Sequence, residues 1–174
     1  MKKVAVIGSS GAIGNAFLEH YIKDESVENI FSFSRSNISI ENNKVIHSLI
    51  DVENEASIQK AAESLEEVKL DEIIIASGLL HTKDFGPEKS IRDLKADNIL
   101  KILSVNTVGP AIVGKYFLPL LNKNNKSVMA FLSARVGSIS ENKLGGWYSY
   151  RASKAALNQI IKNFSIEINR VNPK

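Results

Sequence analysis

The sequence contains no cysteine, which removes disulfides and thiol catalysis together and fits a reducing compartment such as the cytoplasm. Histidine is scarce, and the three at positions 20, 47 and 81 show no metal-ligand spacing, so no metal site is expected. Charge of one sign never accumulates. The 22 Lys+Arg and 19 Asp+Glu leave a net charge of +3 with no basic run, and nothing points to nucleic acid or an anionic membrane. Long apolar runs are missing as well. Met1-Lys2-Lys3 has the look of a basic leader, but the apolar stretch Val4–Ile7 stops at Gly8, too short for a signal or a membrane span. Repeats, low-complexity tracts and interdomain linkers are also lacking. What is there is a chain of 174 residues, 44% hydrophobic and 24% charged, the profile of one soluble globular domain with a real core.

Val4–Ile7 reads as a strand buried on both faces. It feeds Gly8-Ser9-Ser10-Gly11-Ala12-Ile13-Gly14, then a helical pattern through Ala16, Phe17, Leu18, Tyr21 and Ile22. A strand, a glycine-rich turn and a helix open a βαβ unit whose backbone N–H groups can approach a pyrophosphate. Gly8, Ser10, Gly11, Ile13 and Gly14 are the candidate contacts. A second strand is expected over Ile30–Ser34, with Arg35 and Ser36 at its end. An acidic residue there would read the 2′-hydroxyl of NAD, and an arginine accommodates the 2′-phosphate of NADP. No Asp or Glu lies between Asn29 and Ile40, so Arg35, with Ser34 and Ser36 as hydroxyl donors, points to NADPH over NADH. The plain alternative is an exposed loop arginine.

Further strands are expected over 45–50, 71–78 and 127–133, and an amphipathic helix over 55–68. The chain from 91 to about 121 reads as mostly helical. Within it Asn106 is a polar residue in an apolar setting, just ahead of Gly109-Pro110, and should be bonded or serve a site. The segment 79–90 is the longest loop and is expected to border a substrate cleft. The alternation βαβαβαβαβα argues an α/β fold, a doubly wound parallel sheet with helices on both faces.

Near the far end, Tyr150 and Lys154 lie four apart at the head of a helical run, so phenol and ammonium share one face. A nearby cation favours phenolate, and the tyrosine pKa is expected to fall from about 10 towards the working range. A tyrosine so placed exchanges a proton with a carbonyl or alcohol oxygen. A surface lysine one turn beyond a packed aromatic is the bland alternative.

With the glycine turn at 8–14, Asp51-Val52, Val105-Asn106 and Tyr150-x-x-x-Lys154 in this order, the chain resembles the short-chain dehydrogenase/reductase family from residue 4 to about 165. Gly137-Ser138-Ile139 and Gly145-Gly146-Trp147-Tyr148-Ser149-Tyr150-Arg151-Ala152-Ser153-Lys154 are similar to its C-factor branch in particular. The resemblance implies one NAD(P)-binding Rossmann-type domain over 1–174, with Tyr150 as general acid/base and Lys154 on the nicotinamide ribose. It implies Asn106 at a helix break with a relay water, Asp51 and Val52 at the adenine, and Ala76, Ser77 and Gly78 lining the cofactor. A substrate-orienting serine is implied near the end of the fifth strand. Ser133 is favoured and Ser138 is second, with neither if the position falls on Ala134.

The activity implied is hydride transfer between NADPH and a small carbonyl or alcohol, in a homodimer or homotetramer paired through helices 91–121 and 150–170. A cofactor-binding signalling or regulatory protein with little turnover, and an inactive structural remnant, stay open beside it. The chain departs from the family at Ala12, where a glycine is usual, and at Ala76, where an asparagine often leads. It also stops at Arg170-Val171-Asn172-Pro173-Lys174, where a further strand is expected to begin. A fragment or truncated product is therefore expected, with an open sheet edge and a weakened nicotinamide pocket.

Overall fold

The computed structural model describes residues 1–171; the chain end at 172–174, on which the expectation of a following strand falls, lies outside the described residues. Five strands, β1 (Lys2–Ile7), β2 (Val27–Ser34), β3 (Val45–Leu49), β4 (Glu72–Ile75) and β5 (Val128–Phe131), pair in parallel in the order β3-β2-β1-β4-β5. The order reverses at β1, the switch point at which doubly wound sheets bind their ligands. The helices are α1 (Ala12–Lys23), α2 (Glu55–Glu63), α3 (Ala96–Leu103), α4 (Gly109–Phe117) and α5 (Tyr148–Val171).

The chain divides into two compact units, residues 1–78 with 112–132, and residues 79–111 with 133 onward. The first holds the whole sheet. β1 is apolar on consecutive residues because both its faces are covered. Val4 and Val6 pack with Leu18 and Tyr21 of α1, while Ala5 and Ile7 pack with Ile58 and Ala61 of α2 and with Val113 and Phe117 of α4. Successive strand side chains point to opposite faces, so this one strand seeds two cores. Phe33 and Phe117 meet edge to face at 5.6 Å in the second of them.

The alternation of strands and helices holds with one exception. No helix joins β2 to β3. The connection Ser36-Asn37-Ile38-Ser39-Ile40-Glu41-Asn42-Asn43 is rich in β-branched residues, Ser and Asn, which favour local backbone bonds over a helix. Ile38 and Ile40 instead pack against the core beside α1. α2 ends at Glu63, short of the expected 68, where the Ser64 hydroxyl takes up the Ala61 carbonyl at 2.7 Å.

The second unit is built on α3 and α5, with the 3₁₀ turn Arg135–Gly137 against α5. Ser104–Val108, between α3 and α4, is a π-helical turn closed by the Gly109 N–H on the Ser104 carbonyl. The π-turn runs without a break into α4, and its extra residue falls just ahead of Pro110, whose missing N–H interrupts the helical ladder there. π-turns of this kind recur at functional sites, and this one carries Asn106.

Candidate active site

In the first unit the candidate residues follow the C-terminal ends of four neighbouring strands. The turn after β1 is tied to β2 by the Gly8 and Ser9 N–H groups, both on the Phe33 carbonyl at 2.8 and 3.0 Å. Gly8 has φ +88°, and a Cβ there would stand 2.7 Å from the Ser77 nitrogen beyond β4. A Cβ on Gly14 would stand 2.2 Å from the Gly8 carbonyl oxygen. These two glycines are where α1 and the end of β4 close onto the turn. Gly11 is different: its Cβ would make an ordinary 3.4 Å contact, so a side chain fits. Ala12 starts α1 and is not among the residues with positive φ, so an alanine sits there without backbone strain.

The N-terminus of α1 is open to an anion. Gly11 at the N-cap makes no side-chain cap bond and the first turn has no acidic residue. The first-turn N–H groups, including those of Ala12, Ile13 and Gly14, have no partner within the helix. Ile13, in that turn, is 49% exposed, and Ser10 is exposed beside it. Arg35 and Ser36 are exposed at the end of β2, in a turn closed by the Ser34 hydroxyl on the Ser36 carbonyl at 2.6 Å. Asp51 holds the turn into α2, accepting from the Glu53 N–H at 3.0 Å, and Val52 packs on the core. Ala76 extends the β4 pairing through its N–H on the Ile7 carbonyl at 2.8 Å, and the Ser77 hydroxyl is buried without a protein partner. Gly78 is exposed.

A polar chain missed in the sequence lies under this turn. Ser9 donates to the Phe33 carbonyl at 3.0 Å, Ser32 donates to Ser9 at 2.8 Å, and His47 Nδ1 stands 3.1 Å from the Ser32 hydroxyl. With the Ser32 proton spent on Ser9, the Ser32 oxygen is left to accept from the ring. His47 therefore has a place in the fold of the turn, although its spacing looked incidental.

The second unit carries the tyrosine and lysine. Tyr150 is half-buried and Lys154 is 2% exposed, with its ammonium 5.7 Å from the centre of the Tyr150 ring. The expected depression of the tyrosine pKa is not what this environment gives. Burial pushes the Tyr150 phenol above its ordinary value and holds the Lys154 ammonium below its own. Loss of water disfavours both charged forms and outweighs an attraction across that distance. The phenol thus keeps its proton at neutral pH, which suits a proton donor.

Behind the pair, Asn106 is fully buried and fully bonded. Its carbonyl accepts from the Leu79 N–H at 2.6 Å, and its amide donates to the Leu79 carbonyl at 2.8 Å and the Ser153 hydroxyl at 3.0 Å. Ser153 passes its own proton to the Tyr150 carbonyl at 2.8 Å, and Thr107 donates to the Ser153 carbonyl at 2.9 Å. The π-turn is thereby sewn to the turn of α5 between Tyr150 and Lys154. Asn106 was legible as a polar misfit in a helix; Ser153 and Thr107 were not.

Neither serine candidate is bonded to Tyr150. The Ser133 hydroxyl donates to Asn158 at 2.6 Å, eight residues on from Tyr150 and so about 12 Å along the helix. Ser138 lies 3.4 Å from Ser140 and, with Val136, Arg151, Ala152 and Ala155, lines a hollow on another flank of α5. Gly137, read in the sequence only as the start of the C-factor-like run, has a packing role that the sequence did not show. A Cβ there would stand 2.9 Å from both the carbonyl carbon and Cβ of Lys154. Gly137→Ala is expected to push the 135–137 turn off α5 at a cost of about 1–3 kcal/mol. Thermal unfolding of the variant, with Tm lower by roughly 2–10 °C, checks this.

Among the described residues no group of three or more His, Cys, Asp or Glu could hold a metal ion, and no helix is long and apolar enough to cross a membrane. The family model for short chain dehydrogenases matches residues 2–172. The chain belongs to the short chain dehydrogenase family. A relative from Rhodococcus sp. (strain AD45), a 1-hydroxy-2-glutathionyl-2-methyl-3-butene dehydrogenase, is 34% identical over 123 residues, 70% of this chain and 51% of its own length. The C-signal of Myxococcus xanthus is 32% identical over 79 residues, 45% of this chain and 48% of its own length. The matched stretches thus span about half the length of each of these two relatives. The NADPH-bound carbonyl reductase from chicken fatty liver superposes with a TM-score of 0.85 at 24% identity, covering 98% of this chain and 72% of that one. At that identity the likeness to the chicken carbonyl reductase is one of fold.

Proposed function

We propose that this chain is an NADPH-dependent oxidoreductase of small carbonyl or alcohol compounds, with Tyr150 as its general acid/base. The observation that carries the reading is the half-buried Tyr150 on one face of α5 with the buried Lys154, whose ammonium stands 5.7 Å from the Tyr150 ring centre. The names of the Rhodococcus dehydrogenase and the chicken carbonyl reductase support the same class of substrate. The run from Gly137 to Lys154 and the likeness to the C-signal support placing the chain near the C-factor branch.

The first unit fits a dinucleotide. Its glycine turn is too close for side chains at Gly8 and Gly14, the α1 N-terminus is uncapped, and Ser77 holds an orphaned buried hydroxyl. Gly8, Ser10, Gly11, Ile13 and Gly14 would take the pyrophosphate. Arg35 and Ser36 would take the 2′-phosphate, Asp51 and Val52 the adenine, and Ala76, Ser77 and Gly78 the remaining face. When bound, the nicotinamide supplies the hydride. Tyr150 gives its proton to the carbonyl oxygen that becomes the alcohol, and Lys154 holds the ribose and stabilises the phenolate left behind. Asn106 fixes the π-turn behind them. Ser133 is retained as the serine that orients the carbonyl, on condition that its hydroxyl leaves Asn158 when substrate arrives. Subunit pairing through 91–121 and 150–170, where Leu100, Ile166 and Ile168 are exposed, belongs to the same proposal.

A panel of small aldehydes and ketones, followed by loss of NADPH absorbance, tests the activity; a folded chain that binds NADPH and reduces none of them would count against it. The acid role has a pH signature. Reduction needs the protonated phenol, whose pKa is raised by burial. The rate is therefore expected to stay flat through neutrality and to fall only as pH rises above the ordinary tyrosine range of about 10. A fall centred near neutrality would contradict the assignment. For the cofactor, Arg35→Asp is expected to weaken NADPH about 100-fold, by removing a charge-assisted contact and adding repulsion, and to change NADH less than about 3-fold. Equal losses for the two would remove the 2′-phosphate role.

A further inference from the structure

Glu88 has no part in the chemistry proposed above, yet it is 5% exposed in a segment with neither helix nor strand. A carboxylate is buried this deeply only when its oxygens are bonded. Its partners all stand at the threshold of α5. The carboxylate accepts the Ser149 hydroxyl on one oxygen and the Ser149 N–H at 3.3 Å on the other, and the Glu88 carbonyl accepts the Trp147 N–H. An acidic group there also meets the positive end of the helix dipole.

The backbone that enters α5 needs holding. Gly145, Gly146 and Trp147 have φ of +68°, +65° and +52°, three successive left-handed residues, the last of them a tryptophan. That region is disfavoured for any residue with a Cβ, and most for a bulky one. A Cβ on Gly146 would lie 3.3 Å from the Glu88 carbonyl oxygen, so the turn is laid directly on Glu88. Its product is the placement of the Trp147 indole, edge to face with the Tyr150 ring at 6.2 Å.

We propose that Glu88 is a positioning residue for Tyr150, clamping Trp147 and Ser149 so that the first turn of α5 holds the phenol in its half-buried place. This rests on the reading of Tyr150 as proton donor and adds what keeps the donor aimed. Glu88 touches no reacting atom; it acts through Ser149 and the left-handed turn. Glutamine can replace it in kind, since an amide oxygen accepts the Ser149 N–H while the amide NH₂ donates to the Ser149 hydroxyl. Alanine cannot.

The experiment compares the full chain with Glu88→Ala, Glu88→Gln, Ser149→Ala and the double variant Glu88→Ala/Ser149→Ala. The phenol of Tyr150 is titrated by NMR on ¹³C-tyrosine-labelled protein, its signal assigned by the one missing in Tyr150→Phe. Turnover with NADPH and a carbonyl substrate is the second readout. In Glu88→Ala the phenol is expected to titrate lower, back towards an ordinary tyrosine, with kcat down roughly 10–100-fold and cofactor affinity unchanged. Glu88→Gln is expected to titrate as the wild type, with kcat within about 3-fold. Ser149→Ala should fall between, and the double variant should be no worse than Glu88→Ala, because both act through one contact. A wild-type titration in Glu88→Ala, a Glu88→Gln no better than alanine, or additive losses in the double variant would each overturn the proposal. If Glu88→Ala does not fold, the titration of Ser149→Ala decides it, and a wild-type curve there overturns it. Failure of the donor reading shows separately, as turnover that survives in Tyr150→Phe, while the titrations still judge Glu88.

Discussion

Tyr150→Phe is expected to lower kcat about 10³-fold, some 4 kcal/mol in the barrier, while the Kd for NADPH stays within about 2-fold. The substitution removes one oxygen and its proton and leaves the ring. Phenylalanine keeps the edge-to-face contact with Trp147 and the face offered to the Lys154 ammonium, so α5 has no reason to shift. The bond from Ser153 to the carbonyl of residue 150 is to backbone and survives too. Whatever is lost is therefore lost in the proton-transfer step. Parallel falls in kcat and kcat/KM, with binding intact, mark an interaction made in the transition state. Turnover that survives in the variant would move the proton donor elsewhere in the unit.

Gly14→Ala is expected to have the second largest effect, at the other end of the chemistry. The added Cβ would stand 2.2 Å from the Gly8 carbonyl oxygen, 2.8 Å from its carbon and 2.9 Å from Ser9 Cα, all of them backbone. No flexible side chain can move aside, so α1 must lift from the turn. The expected cost is about 3 kcal/mol of stability, the upper part of the range for overpacking. The N–H groups proposed to take the pyrophosphate would shift with the helix, and NADPH affinity is expected to fall at least ~100-fold. Gly11→Ala serves as the control, because its Cβ meets only an ordinary 3.4 Å contact. Denaturant unfolding and calorimetric titration of the two variants measure both quantities. Similar behaviour of the two would mean that the close approach at Gly14 does not shape the site.

These two positions also mark what was legible in the sequence. Val4–Ile7 followed by glycines, and Tyr150 with Lys154 one turn apart, are local patterns whose physics acts over a few residues. Reading them required only the strand and helix periods. Asn106 was visible for the same reason, as a polar side chain inside a helical run before Gly109-Pro110. Glu88 and Ser149 were not, because they meet across 61 residues of chain and nothing in the loop 79–90 announces a buried carboxylate. Gly137 lies in a loop where glycine is unremarkable until Lys154 is seen against it. The missing helix between β2 and β3 was hidden by the regularity of its neighbours. The pKa of Tyr150 shows a different limit: spacing indicates that a cation is near, and only burial decides which way the phenol moves.

Calorimetric titration of the folded wild-type chain with NADPH and, separately, with NADH tests the central claim most directly. Binding of NADPH at least ~10-fold tighter than NADH is expected, since in the proposed reading the glycine turn and α1 would serve both while Arg35 would serve only the 2′-phosphate. Absence of binding to a folded sample, or equal affinity for the two dinucleotides, would contradict it.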